Sequence, residues 1–422
     1  MIKCFTFENF KSFEKAELNI EAFSTLIGTN ASGKSNAIEG ISILSMVVTG
    51  LELSTILDGT KNMNSAIRGG SQGCTRFKTN AFKLGCLIDY DAEYDLLYEI
   101  KIGVNGKVVV EDEAMYRVQK DKLGPKRDKI FKTKSVSQDR TDIKVEYKNG
   151  KKGTNPDVIC VRTSAILPQI VSKIPRDTSE EAAVVACMER MIEQLKNIMI
   201  LDPVPVEMRD YVRNTDAELR TNCDNLSAVL NKICKEVDKK KEILQIIQDL
   251  PENEITDIEI VETKIGDVIL ALREKYLNST ELVDAKKLSD GTLRCLAMIT
   301  AVLTCPLGSM IVIEEIDNGV HPGRVQKLLE NLVRIGKERK IDIIVTTHNA
   351  MLLNQYKKDE LIGVSVVYRE KERGTSKFIS FVDIQNFPKL LAKGGLGNAL
   401  ANNEIVSAIK DTQEEDYSWL GV

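Results

Sequence analysis

The N-terminal part of the chain consists of short apolar runs that alternate with polar positions, which is the spacing of β-strands. The first runs predict strands over 3–7, 16–20 and 23–27. A helix is predicted from Gly33 to about Thr49, and the alternation then resumes with strands at 82–88, 96–100 and 107–110. Gly and Asp residues between these runs mark turns. We therefore expect a β-rich N-terminal part with one early helix.

From Thr178 onward the apolar residues recur at three- and four-residue spacing, and a second helix is predicted over 225–250. Pro203, Pro205 and Pro251 interrupt this region, so it predicts short helices rather than a long coiled-coil arm. Strands return at 255–262 and 266–272. These changes of period divide the chain into a β-rich part at 1–177, a helical insertion at 178–254 and a C-terminal part at 255–422.

The composition is that of an ordinary soluble protein, because 43% of the 422 residues are hydrophobic, enough for two or three structural units. No segment approaches the roughly 20 apolar residues that cross a bilayer, and the N-terminus enters a strand pattern without a signal-peptide core. We therefore expect no membrane contact and a cytoplasmic location. Nine cysteines without a CxxC pair and only two histidines give no metal-ligand spacing.

Charge is unevenly distributed, although the net charge is only −4. From Arg117 to Lys152 there are thirteen Lys or Arg against five Asp or Glu, a local charge of +8. Such a run is usually a solvated hairpin, and the alternative is a surface that binds DNA, RNA or a partner protein. The sequence leaves both interpretations open.

A glycine-rich loop lies directly between the strand over 23–27 and the helix that follows. Its GxxxxGKS spacing lets backbone N–H groups point at phosphate oxygens, and the helix adds its positive end. Lys34 would reach the β- and γ-phosphates, and the Ser35 hydroxyl would hold magnesium. The loop therefore predicts a site for a nucleoside triphosphate, with nine binding residues: Gly28, Thr29, Asn30, Ala31, Ser32, Gly33, Lys34, Ser35 and Asn36.

Two apolar runs near the C-terminal end predict buried parallel strands with polar residues at their carboxyl ends. The run over 309–313 is followed directly by Glu314 and Glu315, and the run over 341–347 is followed directly by His348. Ligands collect at this edge of open α/β sheets. We therefore expect Glu314 to share the magnesium with Ser35, Glu315 to orient or deprotonate the attacking water, and His348 to hydrogen-bond the γ-phosphate.

A helix start with a polar cap and a glycine is predicted at 288–294. Hydroxyl and backbone donors at such a start form a second place that can grip a phosphate. One chain has no second phosphate for it, so Ser289 and Gly291 are predicted to serve a neighbouring copy.

These motifs together resemble the ABC-type ATPases of the SMC, RecF and OLD group. The resemblance rests on four stretches in the same order, over 28–36, 288–291, 313–322 and 346–348, and spans residues 23 to 349. Within that group the chain looks most like compact ATPases of bacterial anti-phage defence operons. The implied fold is an α/β P-loop NTPase of the ABC-ATPase type, with a RecA-like parallel sheet, an antiparallel β subdomain and a helical insertion.

The resemblance also implies a division of roles and an assembly. Two ATP molecules would lie between two head-to-head subunits, each bound by the phosphate loop of one chain and by Ser289 and Gly291 of the other. Glu314 corresponds to the Walker B acid, Glu315 to the catalytic carboxylate and His348 to the switch histidine. The D-loop would lie at 317–319, and Gln72 is a candidate for the glutamine loop.

Two features depart from the larger members of the group. Only 74 residues follow His348, which leaves no room for the metal-dependent nuclease domain of OLD proteins, and they predict strands near 366–368 and 378–379, then a glycine-rich stretch at 394–397. Long arms and a CxxC zinc hook are also lacking. We therefore expect a dimeric or higher-order, ATP-hydrolysing switch that controls a separate nuclease or toxin.

Two other functions remain as alternatives. A RecF-like clamp would grip DNA through the basic segment at 117–152. A transporter subunit is disfavoured, because the 254 residues between Lys34 and Ser289 exceed what a compact transporter nucleotide domain needs.

Overall fold

The computed structural model describes residues 1–60, 67–120, 127–137, 140–216, 218–250, 254–276, 279–349, 352, 356–370 and 373–384. The β-strands are β1 (Ile2–Phe10), β2 (Phe13–Asn19), β3 (Phe23–Ile27), β4 (Ala81–Asp89), β5 (Tyr94–Gly103), β6 (Val109–Gln119), β7 (Arg127–Thr133), β8 (Asp142–Tyr147), β9 (Asp157–Val161), β10 (Ile198–Leu201), β11 (Val212–Arg213), β12 (Ile255–Glu262), β13 (Asp267–Tyr276), β14 (Ser279–Asp284), β15 (Met310–Ile313), β16 (Asp342–Thr347), β17 (Val364–Glu370) and β18 (Thr375–Ser380). The α-helices are α1 (Lys34–Val47), α2 (Leu53–Asp58), α3 (Ile166–Val171), α4 (Ser179–Lys196), α5 (Leu226–Ile233), α6 (Val237–Gln248), α7 (Asp290–Thr304) and α8 (Pro322–Arg339).

The chain folds into two compact units, each made from several segments. The first comprises 1–21, 28–198 and 365–379, and the second comprises 22–27, 199–364 and 380–422. Segments far apart in sequence therefore meet inside each unit. The glycine-rich stretch expected at 394–397 lies outside the described residues.

The first unit is built on an antiparallel sheet of eight strands in the order β2-β1-β4-β5-β6-β7-β8-β9. Buried aromatic rings pack on it, with ring centroids 5.1 Å apart for Phe7 and Phe13 and 5.3 Å apart for Phe10 and Phe82. Helix α4 begins with a capping box, in which Thr178 and Glu181 exchange hydrogen bonds with each other's backbone. Residues 365–379, which form most of the β17–β18 hairpin, also belong to this unit.

The second unit contains a parallel sheet. Strand β16 lies between β15 and β3, with Ile313 opposite Val345 and Thr347 opposite Ile27. All residues of β15 and β16 are buried, as expected for parallel strands covered on both faces. Because the three strands are parallel, their carboxyl ends share one edge of the sheet. From that edge the backbone leads directly from Ile27 into the predicted phosphate loop.

A smaller antiparallel sheet completes the second unit, with β13 between β12 and β14 and with β11 pairing the start of β13. The single helix predicted over 225–250 is two helices, α5 and α6. Helix α5 packs along β13 and α6 along β12, so the break lets each apolar face follow its own strand. The apolar faces of α7 and α8 join the same core.

Among the described residues, no helix is both long enough and apolar enough to span a membrane.

Candidate nucleotide site

The predicted phosphate loop is a compact turn that opens α1. Gly33 directly precedes the helix with φ of +121°, a conformation that side chains with a Cβ rarely adopt. Ala31 has φ of +62°, and the N–H of Ser32 donates to the carbonyl of Thr29 at 3.2 Å. Successive residues whose backbone conformation alternates between right-handed and left-handed form a concavity of backbone N–H groups, which can bind anions. Thr29, Asn30 and Ala31 are exposed on its rim.

Lys34 lies inside this loop, with only 5% of the residue exposed. Its Nζ donates to the carbonyl oxygens of Gly28 at 2.6 Å and Thr29 at 3.1 Å. A buried ammonium is stable only with hydrogen-bonding or anionic partners. The loop thus concentrates one positive charge beside the start of a helix, which fits the phosphates of a nucleotide.

The loop has no space for larger residues at its two glycines. A Cβ on Gly28 would lie 2.2 Å from the carbonyl oxygen of Val367 in β17, and a Cβ on Gly33 would lie 2.8 Å from Oγ of Ser376 in β18. Asn36 Nδ2 donates to Oγ of Ser12 at 2.8 Å, between β1 and β2. The β17–β18 hairpin and the β1–β2 turn therefore enclose the loop within the first unit.

In the second unit, the paired acids stand at the carboxyl end of β15, as the sequence predicted. The N–H of Glu314 donates to the carbonyl of Leu201 at the end of β10. Glu315 has φ of +46°, a left-handed conformation that is uncommon outside glycine. The hydroxyl of Thr346 accepts a hydrogen bond from its N–H at 2.9 Å, which helps to hold this conformation. Strained backbone of this kind clusters at functional sites.

The structure brings Glu315 and His348 together. Nε2 of His348 lies 3.1 Å from Oε1 of Glu315, and Nδ2 of Asn318 donates to the other carboxylate oxygen at 3.1 Å. The Thr347 hydroxyl donates to Asp317 at 2.7 Å and accepts from the N–H of Asn349 at 2.9 Å. Side chains of the segment after β15 therefore contact side chains at the end of β16 and directly after it.

Ser289 and Gly291 lie at the start of α7 in the same unit. The hydroxyl of Ser289 caps the helix by accepting from the N–H of Thr292 at 3.1 Å. A Cβ on Gly291 would lie 2.8 Å from the carbonyl oxygen of Gly319, so the glycine lets α7 approach the segment after β15. Arg209 Nη2 donates to the carbonyl of Leu288 at 2.9 Å and to Asp290 at 2.6 Å. These contacts fix the turn that presents Ser289.

The residues fit ATP with magnesium better than they fit a metal held by protein alone. No group of three or more His, Cys, Asp or Glu side chains suited to a metal ion occurs in the described part of the chain. Mg²⁺ commonly takes one or two protein oxygens and fills its shell with substrate phosphates and water. Ser35 in the first unit and Glu314 in the second are each half-buried and carry oxygen atoms of this kind.

A titratable group stands beside these acids at the end of β10. Partial loss of hydration raises the pKa of Asp202, although part of the residue is exposed to solvent. The positive charge of Arg294 lowers this pKa, and the negative charge of Glu315 raises it. Asp202 was not predicted as a site residue.

The basic segment at 117–152 is largely compensated by acids that the fold brings to it. Most partners come from other parts of the first unit: the pairs are Arg117–Glu180, Lys120–Asp89, Arg127–Glu99, Lys129–Glu146, Lys132–Asp112, Lys134–Asp157 and Lys148–Asp128. Residues 121–126 and 138–139 of the segment lie outside the described residues. In the described part of the segment, these ion pairs favour the interpretation as a solvated hairpin over the interpretation as a surface that binds nucleic acid.

The sequence analysis assigned no role to several residues that contact the phosphate loop, the paired acids or the turn at Ser289. Thr346 and Thr347 belonged to the 346–348 motif, but no role was predicted for their side chains, and Arg209, Ser12 and Ser376 gave no motif signal. The glutamine-loop candidate Gln72 donates through Nε2 to the carbonyl of Val104 at 3.0 Å.

Three solved SMC structures resemble the chain. One is an SMC head bound to the C-winged helix domain of ScpA, with 14% identity, alignment over 90% of this chain and 97% of that one, and a TM-score of 0.47. The second is an SMC head domain from Thermotoga maritima, with 13% identity, coverage of 90% and 98%, and a TM-score of 0.39.

The third is an SMC head domain with an extended coiled coil, bound to the C-terminal domain of ScpA derived from Pyrococcus furiosus, with 12% identity, coverage of 93% and 99%, and a TM-score of 0.47. A TM-score below 0.5 does not establish a common fold. The fold of this chain is therefore assigned from its motifs and its strand order. No curated protein matches the chain significantly.

Residues 218–354 match the family model described as "AAA domain, putative AbiEii toxin, Type IV TA system". This stretch contains α7, β15 and β16, and hence the predicted signature, the paired acids and the histidine. The first unit contributes the phosphate loop and the antiparallel β-sheet. The motifs, the parallel and antiparallel sheets and this family match over part of the chain together identify the fold as that of a P-loop ATPase of the ABC type.

Proposed function

We propose that the protein binds MgATP and hydrolyses it to ADP and phosphate. The observation that carries this proposal is the phosphate loop, in which a buried Lys34 lies within a backbone turn at the start of α1. Lys34 neutralises charge on the β- and γ-phosphates, and the loop N–H groups bind their oxygens. By the motif resemblance, Ser35 and Glu314 would hold Mg²⁺, which would supply positive charge to the phosphate oxygens.

Glu315 is the proposed catalytic carboxylate. Its two oxygens are oriented by His348 and Asn318, so it is preorganised to align a water molecule for attack and to accept its proton. The His348 ring lies within hydrogen-bonding distance of this carboxylate, and in the proposed complex with ATP it donates a hydrogen bond to the γ-phosphate. Loss of the γ-phosphate would therefore change the environment of both side chains, which makes the pair suited to a switch.

We propose that ATP joins two copies of the chain. Ser289 and Gly291 present a hydroxyl and a helix start that Arg209 holds in place. In the proposed dimer these groups bind the phosphates held by the loop of the partner copy. Nucleotide binding then stabilises the dimer by mass action, and hydrolysis removes the bridging phosphate.

The proposed biological role is control of a separately encoded nuclease or toxin in cytoplasmic anti-phage defence. Support comes from the motif resemblance and from the toxin–antitoxin description of the family that residues 218–354 match. Co-purification with the neighbouring gene products from the native operon tests this role. A chain that runs alone with and without ATP under those conditions would count against it.

The chemistry is tested with two variants and one control. Lys34→Ala should lose MgATP binding, and Glu315→Gln should retain binding while phosphate release falls by roughly 10²- to 10⁴-fold, the usual contribution of a general base. Glu330→Gln, at an exposed position of α8, is the matched control, since it also neutralises a carboxylate that pairs with a neighbouring side chain. Nucleotide binding that survives Lys34→Ala would refute the assignment.

Assembly is tested by sizing Glu315→Gln with and without MgATP, because this variant should accumulate the ATP-bound dimer. The specific activity of the wild type should also fall on dilution. Ser289→Ala should weaken the ATP-dependent dimer while leaving ATP binding to the isolated chain intact. An unchanged mass, together with a specific activity independent of dilution, would rule out the shared site.

A further inference from the structure

The hydroxyl group of Ser289 belongs to a short chain of hydrogen bonds at the start of α7. Its Oγ accepts from the N–H of Thr292 at 3.1 Å and lies 2.8 Å from Oγ1 of the same threonine. Arg324, in the first turn of α8, donates from Nη1 to that Oγ1 at 3.2 Å. All three residues belong to the second unit, and the sequence analysis assigned a role only to Ser289.

The donor in the bond between the two hydroxyl groups follows from the partners of Thr292. Only 6% of this residue is exposed, and in the described part of the chain its hydroxyl has no hydrogen-bond partner besides Ser289 and Arg324. A guanidinium group donates and never accepts, so Arg324 cannot take the proton of the Thr292 hydroxyl. Because a buried hydroxyl proton without an acceptor is destabilising, Thr292 donates its proton to Ser289.

This direction of donation fixes the proton of Ser289 as well. Among the described residues, the hydrogen bonds of Ser289 Oγ are those with the N–H and the hydroxyl of Thr292, and they occupy both of its lone pairs. Ser289 is exposed, so its own proton remains available to an acceptor in solvent. Phosphate oxygens are strong acceptors, and a hydroxyl that is held as a donor suits them better than one that rotates.

We propose that Thr292 and Arg324 are positioning residues that hold the Ser289 hydroxyl as a donor to a phosphate oxygen of the nucleotide bound by the partner copy. This inference rests on the proposed ATP-joined dimer. Arg324 donates to Thr292, Thr292 donates to Ser289, and Ser289 donates to the phosphate. All three bonds therefore run in one direction, from the guanidinium charge on α8 to the anion, and each strengthens the next.

Thr292→Val tests the inference, because valine keeps the shape of threonine and the N–H that bonds Ser289 but lacks the hydroxyl. In the Glu315→Gln background, the dissociation constant of the MgATP-dependent dimer should rise about three- to tenfold, since the Ser289 hydroxyl is retained but no longer fixed. Thr292→Ser keeps the hydroxyl and should retain the parent value. Sedimentation over a range of protein concentrations gives this constant.

A double-mutant cycle shows whether Thr292 and Arg324 act through Ser289. In the presence of Ser289→Ala, Thr292→Val should cause no further loss of the dimer, because the hydroxyl that Thr292 positions is already absent. Arg324→Met removes the guanidinium donor, and its effect on the dimer should disappear with Ser289→Ala in the same way. A loss that persists with Ser289→Ala would overturn the positioning role of that residue.

Thr300→Val is the matched control. Thr300 is a fully buried threonine farther along α7, and its hydroxyl has no hydrogen-bond partner in the described residues. This variant should dimerise as the parent does. Thermal melting without nucleotide checks that each variant is folded, and Arg324→Met gives an independent answer if Thr292→Val does not fold.

The outcomes distinguish this inference from the proposed function. If MgATP dimerises the Glu315→Gln chain and Ser289→Ala weakens the dimer but Thr292→Val does not, only the positioning role is overturned. A Thr292→Ser dimer as weak as that of Thr292→Val would also overturn it, because the hydroxyl would then not be the group that matters. A chain that stays monomeric with MgATP would instead overturn the proposed shared site.

Discussion

Glu315 Oε1 lies 3.1 Å from Nε2 of His348, across the ends of two neighbouring parallel strands. The backbone of Glu315 is left-handed, and its N–H is held by Thr346, one strand away. The carboxylate thus has a fixed backbone, one oxygen beside an imidazole and the other beside the Asn318 amide. Such preorganisation means that the carboxylate needs little reorientation when substrate arrives.

His348→Ala should lower the turnover number about 10- to 100-fold and weaken ATP binding by no more than about tenfold, because the variant frees one oxygen of the Glu315 carboxylate and removes one donor to the γ-phosphate but leaves the phosphate loop intact. Asn318→Ala should have a smaller effect. Phosphate release and nucleotide titration measure the two quantities. Asn331→Ala, at a half-buried position of α8, is the control and should match the wild type in turnover and in ATP affinity. A large loss of ATP affinity in His348→Ala would place the histidine in binding instead.

Gly28→Ala should abolish nucleotide binding, because its Cβ would lie 2.2 Å from the Val367 carbonyl oxygen. Gly50 has φ of +83° with no atom within 4 Å of a Cβ, so Gly50→Ala reports backbone strain alone, about 1–2 kcal/mol. Melting temperature and MgATP affinity should separate the two variants: Gly50→Ala loses some stability and keeps its affinity. Normal binding by Gly28→Ala would show that the loop tolerates displacement of β17.

Arg209→Gln should impair the ATP-dependent dimer without impairing ATP binding by the isolated chain. Arg209 donates to Leu288 and Asp290 on either side of Ser289, so its loss frees the turn that presents this hydroxyl. Sizing and nucleotide titration in the Glu315→Gln background measure both quantities. Arg334→Gln, whose partner is Glu338 on α8, is the control. A dimer as stable as in the parent would show that Arg209 is dispensable.

Glu113 predicts a pH dependence of stability within the first unit. It is fully buried in β6 and accepts hydrogen bonds from the N–H groups of Ile166 and Leu167, each at 2.7 Å, and from the Tyr98 hydroxyl at 3.0 Å. Burial raises its pKa from 4.5 to about 7, and these donors oppose the shift. Because the folded state holds the proton more tightly, this contribution to stability is complete below pH 4.5 and is lost as the pH rises to 7.

Relative to Glu113→Gln, the wild type should therefore lose stability between pH 4.5 and 7, by on the order of 3 kcal/mol. Apparent unfolding midpoints in urea, measured for both proteins across this range, give the difference. Glu189→Gln, at an exposed position of α4, should show no such trend. A difference between wild type and Glu113→Gln that does not vary with pH would show that Glu113 keeps one protonation state throughout.

The sequence alone determined the elements whose signal is local. The strand, loop and helix over 23–47 could be predicted because the glycines, the lysine and the apolar runs follow one another within a few residues. The same holds for β15 with its two acids and for β16 with its histidine, since a buried parallel strand is a continuous apolar run.

Only the tertiary structure decided the contacts between segments far apart in sequence. The basic charge of 117–152 is compensated by acids such as Asp89 and Glu180, and the phosphate loop is enclosed by Val367 and Ser376. Such pairings depend on strand order and register, which no local pattern encodes. Sequence therefore identified the chemical groups, whereas the fold determined which of their partners lie within hydrogen-bonding distance.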